Sequence, residues 1–173
     1  EILAQQLTEG KGDLTTQDRA IEASRKAVEL GSGQLEVHRA RGLVLEVTGN
    51  YQDAIAEFQK ALALNDKLAD LHVALGRNYK ANIQIDLAFE EFNRAIGLNP
   101  TDPQPYIEIA LIYLGNGDYA KAAQMAESAI QQSPDNPLLY GYLGTIYYRS
   151  QNYTAAVQPL RLATRGGAAE AGD

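Results

Sequence analysis

Apolar positions recur along this chain at steps of three and four residues, and the whole arrangement returns at one longer fixed interval, the step from Gly42 to Gly76. Within residues 69–102, Leu71, Leu75 and Tyr79 step by four, and Ala88, Phe92 and Ala95 step by four and three. Each set lines one face of a helix. Three registers carry the longer period: Gly42, Gly76, Ala110 and Gly144; Ala20, Ala54, Ala88, Ala122 and Ala156; Ala27, Ala61, Ala95, Ala129 and Ala163. A fixed period of this length denotes stacked supersecondary units, none of which buries its apolar face alone. The units fall at 1–34, 35–68, 69–102, 103–136 and 137–170, leaving 171–173 as a tail. No segment favours strand pairing. The pattern predicts an all-α solenoid of five stacked helix–turn–helix units.

Turn residues separate the helices inside each unit, at Thr48-Gly49-Asn50, Gly115-Asn116-Gly117-Asp118 and Ser150-Gln151-Asn152. Gly and Asn tolerate the left-handed backbone that ends a helix, and Asp118 or Thr154 is expected to cap the next one. Between units, Asn99-Pro100 and Ser133-Pro134 halt the preceding helix. Pro159 predicts a lost hydrogen bond in the last unit's second helix, with either a bend or a later start. Arg165-Gly166-Gly167 is expected to end that helix. In the first unit, Gly10-Lys11-Gly12-Asp13 interrupts the first helix, leaving Leu7, Ala20 and Ala27 in register, while Arg19–Leu30 reads as amphipathic. Gly and Ala recur where helix backbones come closest, and Phe58, Phe92 and Leu160 fill the wider gaps.

With these residues in place the chain resembles the tetratricopeptide repeat family over essentially its whole length. The unit from Ala69 supplies Leu75-Gly76, Tyr79, Ala88, Phe92, Ala95 and Pro100 of that family's pattern. The unit from Pro137 supplies Tyr140, Leu143-Gly144, Tyr147, Ala156, Leu160 and Ala163. Two units depart from it: Ala126 stands where a large residue is usual, and Arg41 stands in place of Leu. Both departures suggest local looseness.

The resemblance implies a right-handed superhelical array whose first helices line a concave groove. It also implies a non-catalytic function, the docking of a partner protein's peptide or helix to scaffold an assembly. Carried over position by position, the partner-binding residues are Arg39, Leu43, Arg77, Lys80, Ile107, Leu111, Leu114, Leu138, Tyr148 and Arg149. The N-terminal half of this groove is charged in both signs. Ile107, Leu111, Leu114 and Leu138 make an apolar stretch rimmed by charge, the usual mark of an interaction site. The family's carboxylate clamp for acidic chaperone tails is not matched, since Glu108 stands where a cation is required. The alternative is a targeting or regulatory array of a larger enzyme, such as a kinase, protease or glycosyltransferase.

Composition narrows the chemistry further. A net charge of -7 argues against nucleic acid as partner, because phosphate binding needs a clustered basic surface. No apolar run approaches the roughly 20 residues that span a bilayer, so no membrane insertion is expected. There is no cysteine. The chain opens at Glu1 with no visible leader, so a processed or excised fragment is expected and the compartment stays open, with the cytoplasm favoured. His38 and His72 are the only histidines, one repeat period apart. Successive units sit about 10 Å apart, too far for two imidazoles to share one zinc, so helix packing is their expected role and no metal or cofactor is implied. Tyr79, Tyr113 and Tyr147 share one register and Tyr51, Tyr119 and Tyr153 another, both read as core. Gly115-Asn116-Gly117 lacks the Lys-Ser or Lys-Thr of a phosphate loop. Glu90-Glu91 reads as a solvated face, since adjacent helix residues diverge by about 100°. At the C-terminal end, Ala155, Val157, Leu160 and Leu162 put apolar groups on more than one side of the last helix. Weak self-association of a homo-oligomer through that end is therefore expected.

Overall fold

The structure, a computed structural model, describes the backbone of residues 14–31 and 33–170 and the side chains of residues 18–31 and 33–164. These residues form nine α-helices: α1 (Leu14–Gly31), α2 (Leu35–Val47), α3 (Tyr51–Leu64), α4 (Ala69–Ala81), α5 (Ile85–Leu98), α6 (Gln104–Gly115), α7 (Tyr119–Gln132), α8 (Pro137–Arg149) and α9 (Tyr153–Glu170). Two compact units, Glu1–Arg94 and Ala95–Asp173, divide the chain inside α5. In the first, α2 packs on α1 and α3, and α3 packs on α4. In the second, α7 packs on α6 and α8, and α8 packs on α9. The second helices α1, α3 and α7 thus also meet the first helix of the next hairpin. α1 starts at Leu14, earlier than the Arg19 expected from its pattern. The expected break at Gly10–Asp13, and Leu7, lie outside the described residues.

Size matching between two positions sixteen residues apart holds each hairpin together. A methyl added to Gly42 would stand 2.7 Å from Cε1 of Phe58, and one added to Gly76 would stand 2.6 Å from Cε1 of Phe92. At Gly144 it would meet Leu160 Cδ2 at 2.6 Å. Glycine is therefore required wherever the partner is large. The unit from Pro103 solves the same problem differently, with Ala110 opposite a second alanine, Ala126, and both are buried in one core cluster. The expected looseness at Ala126 is not found, because the two substitutions compensate. The alanine registers are buried as expected at Ala54, Ala61, Ala88, Ala95, Ala122, Ala129 and Ala156, whereas Ala27 is exposed.

The turns inside the hairpins obey a register of their own. Gly49, Ile83, Gly117 and Gln151 all take positive φ, at 79°, 61°, 77° and 61°. After each, a backbone N–H returns to a carbonyl five residues earlier: Asn50 to Leu45, Gln84 to Tyr79, Asp118 to Tyr113 and Asn152 to Tyr147. This closes the first helix in the manner of a Schellman motif. Asp118 caps α7 by accepting from Lys121 N at 3.2 Å, as expected. The cap of α9 is Asn152, which accepts from Ala155 N at 3.2 Å, and not Thr154, which lies inside the helix. Pro159 is buried within α9, whose start it does not delay. The same helix continues through Gly166 and Gly167 to Glu170. Two glycines weaken a helix interior by roughly 0.5–1 kcal/mol each but do not end it without a proline or a left-handed cap.

Candidate functional site

The first helices carry the residues expected to meet a partner. In the first unit, α2 and α4 are tied together across their open faces by ion pairs. Arg39 Nη2 reaches Asp70 Oδ2 at 2.6 Å, and Arg77 Nε reaches Glu46 Oε1 at 3.0 Å. Arg39 also lies 4.0 Å from Glu36 on its own helix. Partly exposed pairs of this kind contribute roughly 0–1 kcal/mol each to stability. Their larger consequence is electrostatic, because Arg39 and Arg77 already face carboxylates and offer little to an acidic ligand. Leu43 and Lys80 are half-buried beside them in sequence register.

The second unit has a different character. α6 touches α8, and between them these helices carry only two charged residues. One is Glu108, buried, which accepts from Gln104 Nε2 at 3.2 Å; the other is Arg149, which is exposed. Ile107 does not line an open surface. It is buried in the core cluster with Ala110, Leu139, Leu143 and Ile146. Its helical neighbours, four and seven residues on, are better placed: Leu111 and Leu114 pack against that cluster and remain half-exposed. Leu138 is 72% exposed, and Tyr148 lies exposed on the same helix. Tyr148 meets Tyr153 edge to face, with centroids 5.6 Å apart. The strip is therefore apolar and aromatic, and almost free of charge.

Two buried polar pairs lie outside what the apolar pattern indicates. His38 Nδ1 lies 2.6 Å from Glu57 Oε2, and His72 Nδ1 lies 2.5 Å from Glu91 Oε2. Nε2 of His72 donates to the Asp66 carbonyl at 2.9 Å. Glu91 is thus not part of a solvated face, although Glu90 is exposed. Glu57 also pairs with Lys60 at 3.0 Å and with Arg41 at 3.4 Å. Burial works against the charge on Glu57, but bonds from His38 and Lys60 outweigh it and hold its carboxyl below the ordinary range. Among the described residues no three His, Cys, Asp or Glu side chains gather as metal ligands, and no helix is long and apolar enough to cross a membrane.

Family profiles, each described as Tetratricopeptide repeat, match residues 35–68, 69–102 and 107–171. The chain belongs to the tetratricopeptide repeat family. Among solved structures it is similar to MamA, at 24% identity over 99% of this chain and 97% of that one, with a TM-score of 0.77. It is also similar to PilF of Pseudomonas aeruginosa, at 20% identity over 95% of this chain and 73% of that one, with a TM-score of 0.76. YrrB, described as a tetratricopeptide protein with an unusual peptide-binding site, is 24% identical over 94% of this chain and 82% of that one, with a TM-score of 0.65. These likenesses establish the fold. No curated protein sequence matches this chain. Tetratricopeptide repeats generally act as protein–protein interaction modules.

The family's pattern explains the two histidine pairs. Its fourth site takes a large ring, and Tyr106 and Tyr140 fill it by donating to the carbonyls of Pro100 and Pro134, six residues back. His72 makes the same bond to Asp66 with a ring nitrogen, which leaves its second nitrogen to pair with Glu91. Arg41, in the place of a leucine, brings its Nε to 3.4 Å from Glu57 Oε1, a charge contact without a hydrogen bond, and its Nε and Nη1 are both buried without a hydrogen-bond partner. The signal lay in the sequence: both histidines precede a glutamate by nineteen residues, in consecutive units. The tyrosine registers divide. Tyr79 is buried as core, whereas Tyr51 and Tyr153 are exposed.

Proposed function

We propose that this tetratricopeptide array is a non-catalytic docking module that captures a peptide or helix of a partner protein on the strip formed by α6 and α8. The observation that carries this reading is Leu138, which stands open to solvent on α8, while Leu111 and Leu114 of α6 and Tyr148 of α8 are partly or fully exposed and Arg149 is the only exposed charge of the two helices. A large apolar side chain in that setting gains most from being covered. Apolar anchors of the ligand fill the strip, and Arg149 meets an acidic or carbonyl group at its rim. Arg39 and Arg77 are engaged by Asp70 and Glu46 and so offer no free cation to an acidic ligand.

Selection of peptides from a displayed random library against the intact chain tests the reading. Ligands are expected to carry at least two large apolar residues, and Leu138→Asp is expected to weaken them at least about tenfold, as loss of a hot-spot contact does. Affinity is expected to change little with ionic strength, since few charges are involved. Selected peptides that bind Leu138→Asp as well as the parent chain would place the site elsewhere.

A further inference from the structure

Both ring nitrogens of His72 face acceptors. Nδ1 lies 2.5 Å from Glu91 Oε2 of α5, and Nε2 lies 2.9 Å from the Asp66 carbonyl in the loop between α3 and α4. A carbonyl and an ionised carboxylate bring no proton of their own. Both contacts are therefore hydrogen bonds only while the ring carries a proton on each nitrogen. Burial adds to that demand. The His72 side chain is 3% exposed and that of Glu91 13%, and a carboxylate taken out of water needs a paired cation. Glu57, the matching residue one repeat earlier, has Lys60 and Arg41 beside it as well as His38. Among the described residues Glu91 pairs with His72 alone.

The other charges nearby are engaged elsewhere or face solvent. On α3, which packs on α4, Glu57 and Lys60 pair with each other. On α4, Asp70 and Arg77 are engaged by Arg39 and Glu46 of α2. The side chains of Asp66 and Lys67 in the loop, and of Asp86, Glu90 and Arg94 on α5, are exposed. His72 therefore joins three segments of the first unit: its own helix, α5 and the loop 65–68.

We propose that His72 is a proton-operated clasp, which ties α4 to α5 and to the α3–α4 loop when doubly protonated and lets the loop go when it loses one proton. The proton that leaves is the one on Nε2. A neutral imidazole keeps a single N–H, and a hydrogen bond to a carboxylate is roughly twice as strong as one to a backbone carbonyl. The ring therefore keeps Nδ1–H for Glu91 and passes the Nε2 proton to solvent. The Asp66 carbonyl then faces a bare nitrogen, and the loop that joins one hairpin to the next is released as pH rises. Tyr106 and Tyr140 make the equivalent bond with a phenol hydroxyl, a chemical class that titrates well above the range of an imidazole.

Nitrogen NMR of the imidazoles in the intact labelled chain, followed across about pH 5 to 8, reads the proton positions directly. At the acid end both nitrogens of His72 are expected to be protonated. As pH rises, Nε2 is expected to lose its proton while Nδ1 keeps it. The Leu71 amide bonds the Leu68 carbonyl of the loop, and its exchange, corrected for intrinsic pH dependence, is expected to quicken about fivefold, the size of one lost hydrogen bond. His72→Tyr with Glu91→Met puts the Tyr106–Met125 combination into this hairpin and is expected to remove that change. His72→Tyr also assigns the signals, since the chain holds only one other histidine. A bare Nδ1 beside a protonated Nε2 anywhere in the range would overturn the proposal. So would two nitrogens that stay protonated throughout, or a Leu71 amide that quickens equally in the double variant. The nitrogen spectra come from the unmodified chain and decide the matter even if the double variant does not fold.

Discussion

A double-mutant cycle on Gly76 and Phe92 reads the size matching that holds the hairpins together. Phe92 is fully buried, and its helix neighbours Ala88 and Ala95 are buried residues whose methyl groups are too short to move into a void. Phe92→Ala is therefore expected to cost about 3–5 kcal/mol. Gly76→Ala brings a methyl to 2.6, 2.8 and 3.0 Å from Cε1, Cδ1 and Cζ of the ring. Comfortable carbon contacts begin near 3.5 Å, so the ring or the helix must give by nearly 1 Å. That overpacking costs about 1–3 kcal/mol, partly offset by the roughly 1 kcal/mol that Ala gains over Gly in a helix. In the Phe92→Ala background the ring is gone, and the same methyl partly fills the void it left. The double variant recreates the Ala110–Ala126 pair. Its expected stability exceeds the sum of the single changes by about 2 kcal/mol, within the range of coupling between residues in contact. Urea denaturation followed by circular dichroism measures all four corners, with the exposed Asn93→Ala as a control that leaves the midpoint unchanged. Additivity within about 0.5 kcal/mol would rule out size matching as the link between the two positions.

Three further outcomes follow from the buried pairs and the turns. His72→Tyr keeps a donor for the Asp66 carbonyl but strands Glu91, and is expected to cost about 1–3 kcal/mol; adding Glu91→Met, as Met125 stands opposite Tyr106, should recover most of it in the same denaturation assay. Ile83 holds a β-branched side chain at φ 61°, strain worth roughly 1–2 kcal/mol. Ile83→Gly is expected to raise Tm by about 2–4 °C after the extra freedom of glycine in the unfolded chain is subtracted, and an unchanged or lower Tm would contradict the strain. Because the Glu57 carboxyl is held below its ordinary value of 4.5, its contribution is present above that pH and is lost as pH falls through the lower value of the folded state. Acid unfolding monitored by circular dichroism should therefore show a shallower dependence below that pH in Glu57→Gln than in the parent.

The repeat was legible because its constraints are local and periodic. Backbone approach demands Gly or Ala at fixed positions, and the regular interval from Gly42 through Gly76 and Ala110 to Gly144 displays that demand several times over. Pairwise compensation was less legible. Ala126 and Arg41 each look like a defect until Ala110 and Glu57 are seen beside them, and no single register shows both partners. The His–Glu pairs were hidden for a similar reason, since a glutamate at a helix surface position reads as solvated until the preceding helix of the hairpin supplies a buried ring. Ile83 and Gln151 take the left-handed turn conformation because the hairpin imposes it, against the preference of both residues. Of the expected strip, Leu111, Leu114, Leu138 and Tyr148 lie on α6 and α8 with their side chains partly or largely exposed. Ile107, on the same α6, is instead buried in the core cluster, which its apolar side chain alone does not distinguish from a groove position.

Whether partners dock on the apolar strip of α6 and α8 is read most directly by chemical-shift mapping, with a display-selected peptide added to the isotope-labelled chain. The largest amide and methyl perturbations are expected to cluster at Leu111, Leu114, Leu138 and Tyr148, and those at Ala56 and Glu90, exposed on α3 and α5, to be negligible. Perturbations centred on the second helices, with Leu138 and Tyr148 unmoved, would refute docking on the strip.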